Sequence, residues 1–572
     1  MKVRNSILLL IISSQCSFVA AFIGFGAVSA DYTLSTRAYL ALQLFTFSGG
    51  DVTGAVPLGL EIARWLAPAT TLGGVYAAAH VFFARIWDGV RLRWIRGHTI
   101  ICGGGTKGSA LAAELAREPH GQVVLVDPGM SAEFEGLRRE GVVVLSGVGG
   151  DGGVMEQAGL ARASRVVCIS GNDRVNIGMA LEVANSLPAE RSLVPLEIHV
   201  HVAEVAVRNI LQRSQLLDLK NDPRHRIRLF NCHANRARLA LEENPLEWDA
   251  RRGLHDEVHL VVGELSQLEK ALVVHAAQIG HFRHGGKVQV HLVSVRAHAD
   301  EASLLKEYPG FRNCAGLHAA GLNTSDDFIE RVAELEKGWG RDSLVTVVLS
   351  GGVQAALAEA LLLGERLKDG PALRVLLDAP EDSGIRGLVE KNPQLAGWIR
   401  FLPDLLAAVG KEAVFQSGLD AVARRIHDTW KRGTDERIRK AETDGDEKTA
   451  AKHRAKDTYR EWDDLTEEQK EVNRLAADHI AVKFRAVNLA PNAGAALQEA
   501  WGTLDATQLD MLCRMEHERW AVPLWMAGWV AGERDDALRK HPNLVPYDEL
   551  DEGTRNYDLE QVRMSAAYRA GA

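Results

Sequence analysis

From Ile7 to Ala30 the chain runs for 24 residues without a charged side chain, enough for a helix to cross a hydrocarbon core of ~30 Å. No other feature narrows the fold so far, because a backbone inside lipid must satisfy every N–H and C=O group internally. A second run, Leu66 to Ala84, covers 19 residues between Arg64 and Arg85. Lys2 and Arg4 precede the first run, and Arg85, Arg91, Arg93 and Arg96 follow the second. Basic flanks at both ends predict a multi-pass protein of the cell's inner membrane, with the N-terminus and the large C-terminal region cytoplasmic and the loop Asp31 to Leu60 outside. The alternative for the first run is a cleaved signal peptide ending at Val28-Ser-Ala30. The bulk of the chain stays cytosolic in either case.

Directly after the second run comes a glycine turn. His98-Thr-Ile-Ile-Cys-Gly-Gly-Gly-Thr-Lys-Gly108 reads as a short apolar strand, a turn and the start of a helix over Ser109 to Arg117. Gly103, Gly105 and Gly108 have GxGxxG spacing, which permits a tight turn, close approach to a pyrophosphate and close packing of helix on strand. Val123-Val-Leu-Val-Asp127 follows as a second strand. Its acid falls 19 residues after Gly108, where a ribose-binding carboxylate is expected.

The alternation of strand and helix then continues. Gly141 to Gly147 reads as a third strand, followed by Gly150-Asp151, a helix and Ala158 to Ala163. Arg165 to Ser170 is a fourth strand leading to Asn172-Asp173 and Asn176, and Ile198 to Val202 and Arg226 to Phe230 are two more. This order predicts a parallel, doubly wound sheet. From His98 to about Asn185 the chain resembles the nucleotide-binding domain that regulates potassium conductance, the RCK or Trk-type (TrkA-N) domain. The resemblance implies an adenine nucleotide or NAD(H) as regulatory ligand. Gly103, Gly105 and Gly108 would surround phosphate and Asp127 would hold ribose, with Lys107, Asp151 and Asp173 as further cofactor-binding candidates. The helix N-terminus adds partial positive charge to the same place. The alternative is a degenerate site that keeps the fold and binds nothing. Dehydrogenase chemistry needs an acid or base in a substrate pocket, and no candidate stands out, so no catalytic residue is expected and the chain reads as a non-enzyme.

The loop between the two apolar runs has its own pattern. Ala38 to Phe47 is a short helix candidate, and Thr46-Phe-Ser-Gly-Gly-Asp51 resembles the potassium-channel filter Thr-Val-Gly-Tyr-Gly-Asp. It keeps the threonine, the last glycine and the aspartate, but Ser48 stands at the first glycine and Gly49 at the tyrosine. Thr46, Ser48, Gly49, Gly50 and Asp51 are therefore pore candidates, with K+ as the permeant ion the resemblance suggests; a plain hairpin loop is the alternative. Gly73-Gly74 reads as a gating hinge or as a site of close helix packing.

A second copy of the strand-turn-helix shape begins at Val258 to Val262, keeping one glycine, Gly263, before a helix through Leu272. Val288 to Val293, Ser343 to Ser350 with Gly351-Gly352, and Leu373 to Asp378 continue it. Residues 255–410 are expected to form a second, degenerate Rossmann-like domain. His275, His281, His284, His291 and His298 match no common metal spacing and are read as core or surface histidines, so no metal is expected. The six cysteines have no CxxC spacing; Cys102 and Cys168 lie in apolar strands and are expected as buried thiols.

After residue 425 the composition changes. Lys431 to Lys456 is charge-rich and reads as a solvated helix or an insertion. Around it a pattern occurs twice. His427-Asp-Thr-Trp430 is followed by Trp462-Asp-Asp-Leu465, and His517-Glu-Arg-Trp520 by Tyr547-Asp-Glu-Leu550. The second copy adds Gly528-Trp529, Gly532, Arg534-Asp535 and His541-Pro-Asn. Over about 509–563 it closely resembles the ryanodine-receptor (RyR) repeat domain, a mostly helical module; the 420–485 copy matches less well. Trp520, Trp529 and Arg534 are candidates for a second, nucleotide-like ligand, the alternative being that these aromatics are the module's own core.

These readings assemble into a membrane α-helical hairpin with a pore-like loop (1–97), a TrkA-N Rossmann domain (98–250), the degenerate Rossmann-like domain (255–410) and a RyR-like pair with a charged insertion (420–572). A net charge of −9 argues against a nucleic-acid partner. The expected partners are the lipid bilayer, a nucleotide-derived ligand and the chain itself, as a tetramer. The function expected is that of a nucleotide-regulated ion channel or transporter subunit. A non-conducting, membrane-tethered nucleotide sensor is the alternative, and a membrane-anchored NAD-dependent oxidoreductase is a third.

Overall fold

The computed structural model describes residues 2–48, 52, 55–129, 134–188, 194–204, 207–208, 211, 222–248, 257–283, 286–381, 383–415, 418–490 and 495–570. The chain divides into two compact units, Met1–Ile95 and Arg96–Ala572.

In the first unit the apolar runs fold as helices α1 (Lys2–Val28) and α3 (Leu58–Trp94), with the short α2 (Leu34–Gln43) between them. Thr33 starts α2 by accepting the Thr36 N–H on its hydroxyl. Ala21, Phe25, Ala41, Leu44, Leu60, Ala63 and Ala67 form the core. Glycine lets α1 and α3 approach closely: a Cβ at Gly24 would stand 2.6 Å from Leu60 Cβ. Ile11, Val19, Ile23, Ile62, Trp65 and Leu72 face outward. Among the described residues one stretch, Leu10–Val28, is long and apolar enough to cross a membrane by length and composition. The expected second span lies within α3, where side chains 77–90 fall outside the description.

The pore candidates sit at the end of α2. Leu44–Thr46 form a 3₁₀ turn that stops at Phe47, whose φ is 62°. The Thr46 hydroxyl donates to Gln43 O at 2.9 Å, and Ser48 N donates to the same carbonyl at 3.2 Å. Both residues serve to close a helix terminus. Gly49, Gly50 and Asp51 lie outside the described residues.

The second unit contains two parallel sheets with one plan. The first has strands β1 (Thr99–Cys102), β2 (Val123–Asp127), β3 (Val143–Ser146), β4 (Arg165–Cys168), β5 (Leu196–His201) and β6 (His225–Phe230) in the order 3-2-1-4-5-6. That is the doubly wound dinucleotide-binding order. β1 is buried along its whole length, and its β-branched, apolar sequence suits a strand covered on both faces. The second sheet has β7 (Val258–Val262), β8 (His281–Arg283), β9 (Gly286–Ser294), β10 (Gly316–Gly321), β11 (Leu344–Leu349), β12 (Ala372–Leu377) and β13 (Ile399–Phe401). Its order is 10-9-7-11-12-13, with β8 folded back antiparallel on β9. With β8 set aside, this is the same winding a second time. Neither β10 nor β13 was expected from the sequence.

The C-terminal region is helical, and its core is shared. Leu260, Leu272, Val290 and Phe311 of the second Rossmann-like domain belong to one apolar cluster with Ile426, Leu475, Ile480, Val522 and Val562. Gly310 packs so tightly on the helix Ala506–Met526 that a Cβ there would fall 1.9 Å from Trp525 O. The charge-rich insertion is a helical hairpin, Ala421–Thr443 with Glu447–Arg454, closed over Ile438, Ala441 and Ala450.

Candidate functional site

The glycine loop follows β1, at the point where the strand order reverses between β1 and β4. Crevices of this kind take ligands in open α/β sheets. Each glycine meets a different demand. Gly103 has φ 115°, and a Cβ there would stand 3.0 Å from the Ile169 and Ser170 backbone at the end of β4. At Gly108 a Cβ would fall 1.9 Å from Gly103 O, so only glycine lets the helix α4 (Thr106–Ala116) pack on the turn. Nothing lies within 4 Å of a Cβ at Gly105; this position is open on the side from which a phosphate would approach.

Gly105 is also the N-cap of α4, and no side chain caps it. The first-turn N–H groups are thus left to a ligand or to water, with the positive end of the helix dipole behind them. Asp127 faces the same loop. Its Oδ2 accepts from Gly104 N at 2.6 Å and its Oδ1 from Gly129 N at 2.7 Å. The carboxylate therefore fixes the loop, and each oxygen can accept a further hydrogen bond.

The second sheet has filled the corresponding position. After β7 the helix Gln267–Ile279 is capped by Ser266, whose hydroxyl accepts from Leu268 N at 3.3 Å and donates to the buried Glu269. An acid beside a side-chain-capped helix start repels a phosphate. Of the remaining glycines, Gly351 keeps a left-handed φ of 127° but follows β11 instead of the first strand.

The other candidates in the first domain are spread more widely. Asp151 caps the short helix Gly152–Gln157 by accepting Val154 N at 3.0 Å. Asp173 accepts from Ala203 N and Glu204 N at 2.9 and 2.8 Å, fixing the end of β5. Lys107 points across the loop, its Nζ 3.1 Å from His233 Nε2. Beside it His201 Nε2 lies 2.9 Å from Cys232 Sγ. Burial first, and then Lys107, hold His201 down to about 3 and His233 down to about 4. The sequence reading missed this group, since its members come from α4, β5 and the helix Cys232–Glu243 and share no spacing. It missed Asn176 as a fastener too: its amide bonds both the Ser170 backbone and His201 O, tying β4 to β5.

The repeat in the C-terminal region is a repeat of geometry. His427 Nε2 meets Arg460 O at 2.9 Å and stacks on Trp430 at 5.9 Å; His517 Nε2 meets Val545 O at 2.8 Å and stacks on Trp520 at 5.7 Å. Three residues before each histidine an arginine covers the later aromatic, Arg424 over Trp462 and Arg514 over Tyr547, and pairs with the next aspartate, Asp463 or Asp548. Trp520 also meets His541 edge-on at 5.1 Å, so its half-buried ring belongs to the module's own cluster. Trp529 lies under the exposed Arg534 at 5.4 Å, beside the short parallel strand pair Val530–Ala531 and Lys540–His541.

Histidines of the second sheet are mostly interior. His275, His281 and His291 are buried, His298 is exposed, and His284 lies outside the described residues. All six cysteines are free, Cys102 and Cys168 buried side by side on β1 and β4.

Two family models match the chain: the TrkA-N domain over residues 99–213 and the RyR domain over residues 505–567. No curated protein matches it. Among solved structures, GsuK bound to ADP is similar at 15% identity, covering 70% of this chain and 94% of that one, with a TM-score of 0.36. The GsuK channel bound to NAD matches at 13% identity over 70% of this chain and 81% of that one, with a TM-score of 0.35. The chain is thus similar to the TrkA-N domain and the RyR domain over those stretches, and its structure has a second Rossmann-like sheet and a helical C-terminal region.

Proposed function

We propose that this chain is a membrane-anchored, nucleotide-regulated subunit of a homo-oligomeric ion channel or transporter. The TrkA-N domain binds an adenine nucleotide or NAD(H) as effector, without turning it over. One observation carries this reading: the glycine loop ends in an uncapped helix facing Asp127, whereas its second copy is closed by Ser266 and Glu269. The apolar outward faces of α1 and α3 support placement in a bilayer. Potassium is the ion to test first, and a tetramer the assembly.

A ligand shifts a gate only by its different affinity for the two states. Titration of the full-length protein with ADP and NAD tests the site. Gly105→Asp puts a carboxylate into the open space at the helix N-terminus and is expected to abolish binding while leaving the fold intact; unchanged binding would remove the site assignment. Ion flux in liposomes, with and without the nucleotide, tests the conduit.

A second reading, a non-conducting tethered sensor, is favoured by the state of the pore candidates. Thr46 and Ser48 are committed to the end of α2. Nucleotide binding with no flux of any cation selects that reading.

A further inference from the structure

Lys107 is one of the cofactor-binding candidates, yet its ammonium sits against a group of nitrogen and sulfur donors, 3.1 Å from His233 Nε2. His201, Cys232 and His233 each offer one ligand atom, and these atoms all lie within 4.8 Å of one another. His201 and Cys232 are 2% and 1% exposed. The His201 Nδ1 is buried and makes no hydrogen bond among the described residues, with Asp173 Oδ1 3.9 Å away.

We infer that His201, Cys232 and His233 form a binding site for a thiophilic divalent transition-metal ion of the zinc class, which the Lys107 ammonium occupies as an internal cation in the nucleotide-free state. Two imidazoles and a thiolate are the donor set that zinc and cobalt select. Bonds of about 2.0–2.3 Å place tetrahedral donors roughly 3.5 Å apart, so side-chain rotation suffices to close this group on an ion. Asp173 is held by two backbone N–H groups and stands where it can receive the His201 Nδ1–H, the outer partner that orients a metal-bound histidine. The Cys232 thiol gives its proton to solvent when the ion binds.

Lys107 and the ion exclude each other. A nucleotide phosphate at the helix N-terminus would draw Lys107 out of the group and vacate its centre. Nucleotide and metal then bind with positive coupling, and this part of the inference rests on the nucleotide reading above.

Cobalt(II) titration of the full-length protein in detergent, followed by the thiolate-to-cobalt charge-transfer band, is the test. Lys107→Met removes a positive charge from beside the ion and is expected to tighten cobalt binding on the order of tenfold or more. Cys232→Ser should abolish the band, and His233→Ala should weaken it. Lys107→Gln is the second variant should Lys107→Met not fold. A folded Lys107 variant without the band, or a band that survives Cys232→Ser, overturns the site. In the wild type, ADP is expected to raise cobalt affinity by the factor by which cobalt raises ADP affinity. Both ligands binding without mutual effect overturns the coupling. Where NAD binds and ADP does not, NAD takes its place in the coupling measurement; absence of binding by both overturns the nucleotide reading and the coupling, while the Lys107 variants still decide the metal site.

Discussion

Gly105 and Gly108 stand three positions apart and fail in different ways when altered. The Cβ of Gly108→Ala meets a backbone oxygen that has nowhere to go, so the variant should lose ~1–3 kcal/mol, as overpacked sites do. Gly105→Ala meets nothing and should stay within about 1 kcal/mol of the wild type. Thermal melts of the two variants check this, and a similar loss in both would refute the packing account. The buried histidines give a second expectation. Folding lowers His201 to about 3 and His233 to about 4, through burial first and Lys107 next, whereas the unfolded chain protonates near 6.5. Between those values the unfolded state binds more protons, so the stability these groups contribute is complete above pH ~6.5 and falls as the pH drops toward 4. The melting midpoint should therefore decline between pH 7 and 5, and decline less in a His201→Gln, His233→Gln double variant.

At the scale of elements, the helix Cys232–Glu243 joins the parts of the second unit. Arg236 makes a two-pronged contact with Asp378 at the end of β12. Arg238 reaches Asp478 and Asp420, and Asn235 bonds the carbonyls of Ala408 and Ala413. Burial alone would raise the Asp420 carboxyl; Arg474 and Arg238 reverse that and hold it below its ordinary value. Asp420→Asn leaves these guanidinium groups facing a neutral amide and should cost roughly 3–5 kcal/mol, read as a lowered denaturation midpoint. Much of the first sheet was legible in the sequence, because each long strand and its glycine turn are local signals. The edge strand β10, Gly-Leu-His-Ala-Ala-Gly, has neither a β-branched run nor strict alternation, and β13 has only three residues. Both are strands because a neighbour's backbone recruits them. The Lys107 group was illegible for a related reason: Lys107 and His233 are 126 positions apart, and nothing near either predicts the other.

Over the whole molecule, the boundary that composition suggested near residue 420 is not one in the core. Lys483 and Arg519 close on Glu516 at 2.5 and 2.7 Å, all three buried, and His479 bonds His281 O at 3.1 Å. The two His–Trp repeats were visible because histidine and tryptophan recur three positions apart, though the arginines that cover the later aromatics were not read; the shared core was not visible, since it joins Phe311 and Leu272 to residues some 200 positions later. Deleting 421–570 should therefore not release a folded 96–420 fragment. It should strip the apolar face of the second sheet and give aggregated protein, measured by size-exclusion chromatography. A monodisperse fragment that melts cooperatively would refute the shared-core account.

That common core also limits how news of a ligand can travel. Wherever side chains from two modules interlock at interior density, the pair has no joint at which to bend. A molecule settling on the RyR domain therefore has no private conformational change to make. It can act only by altering how the second sheet and its helices, moving as one piece, answer the first. The helix Cys232–Glu243, with its arginines gripping both sides, is then one of the seams at which that answer is given, beside the Lys411 contacts with Glu114 and Glu118 and the Arg228 pair with Asp463.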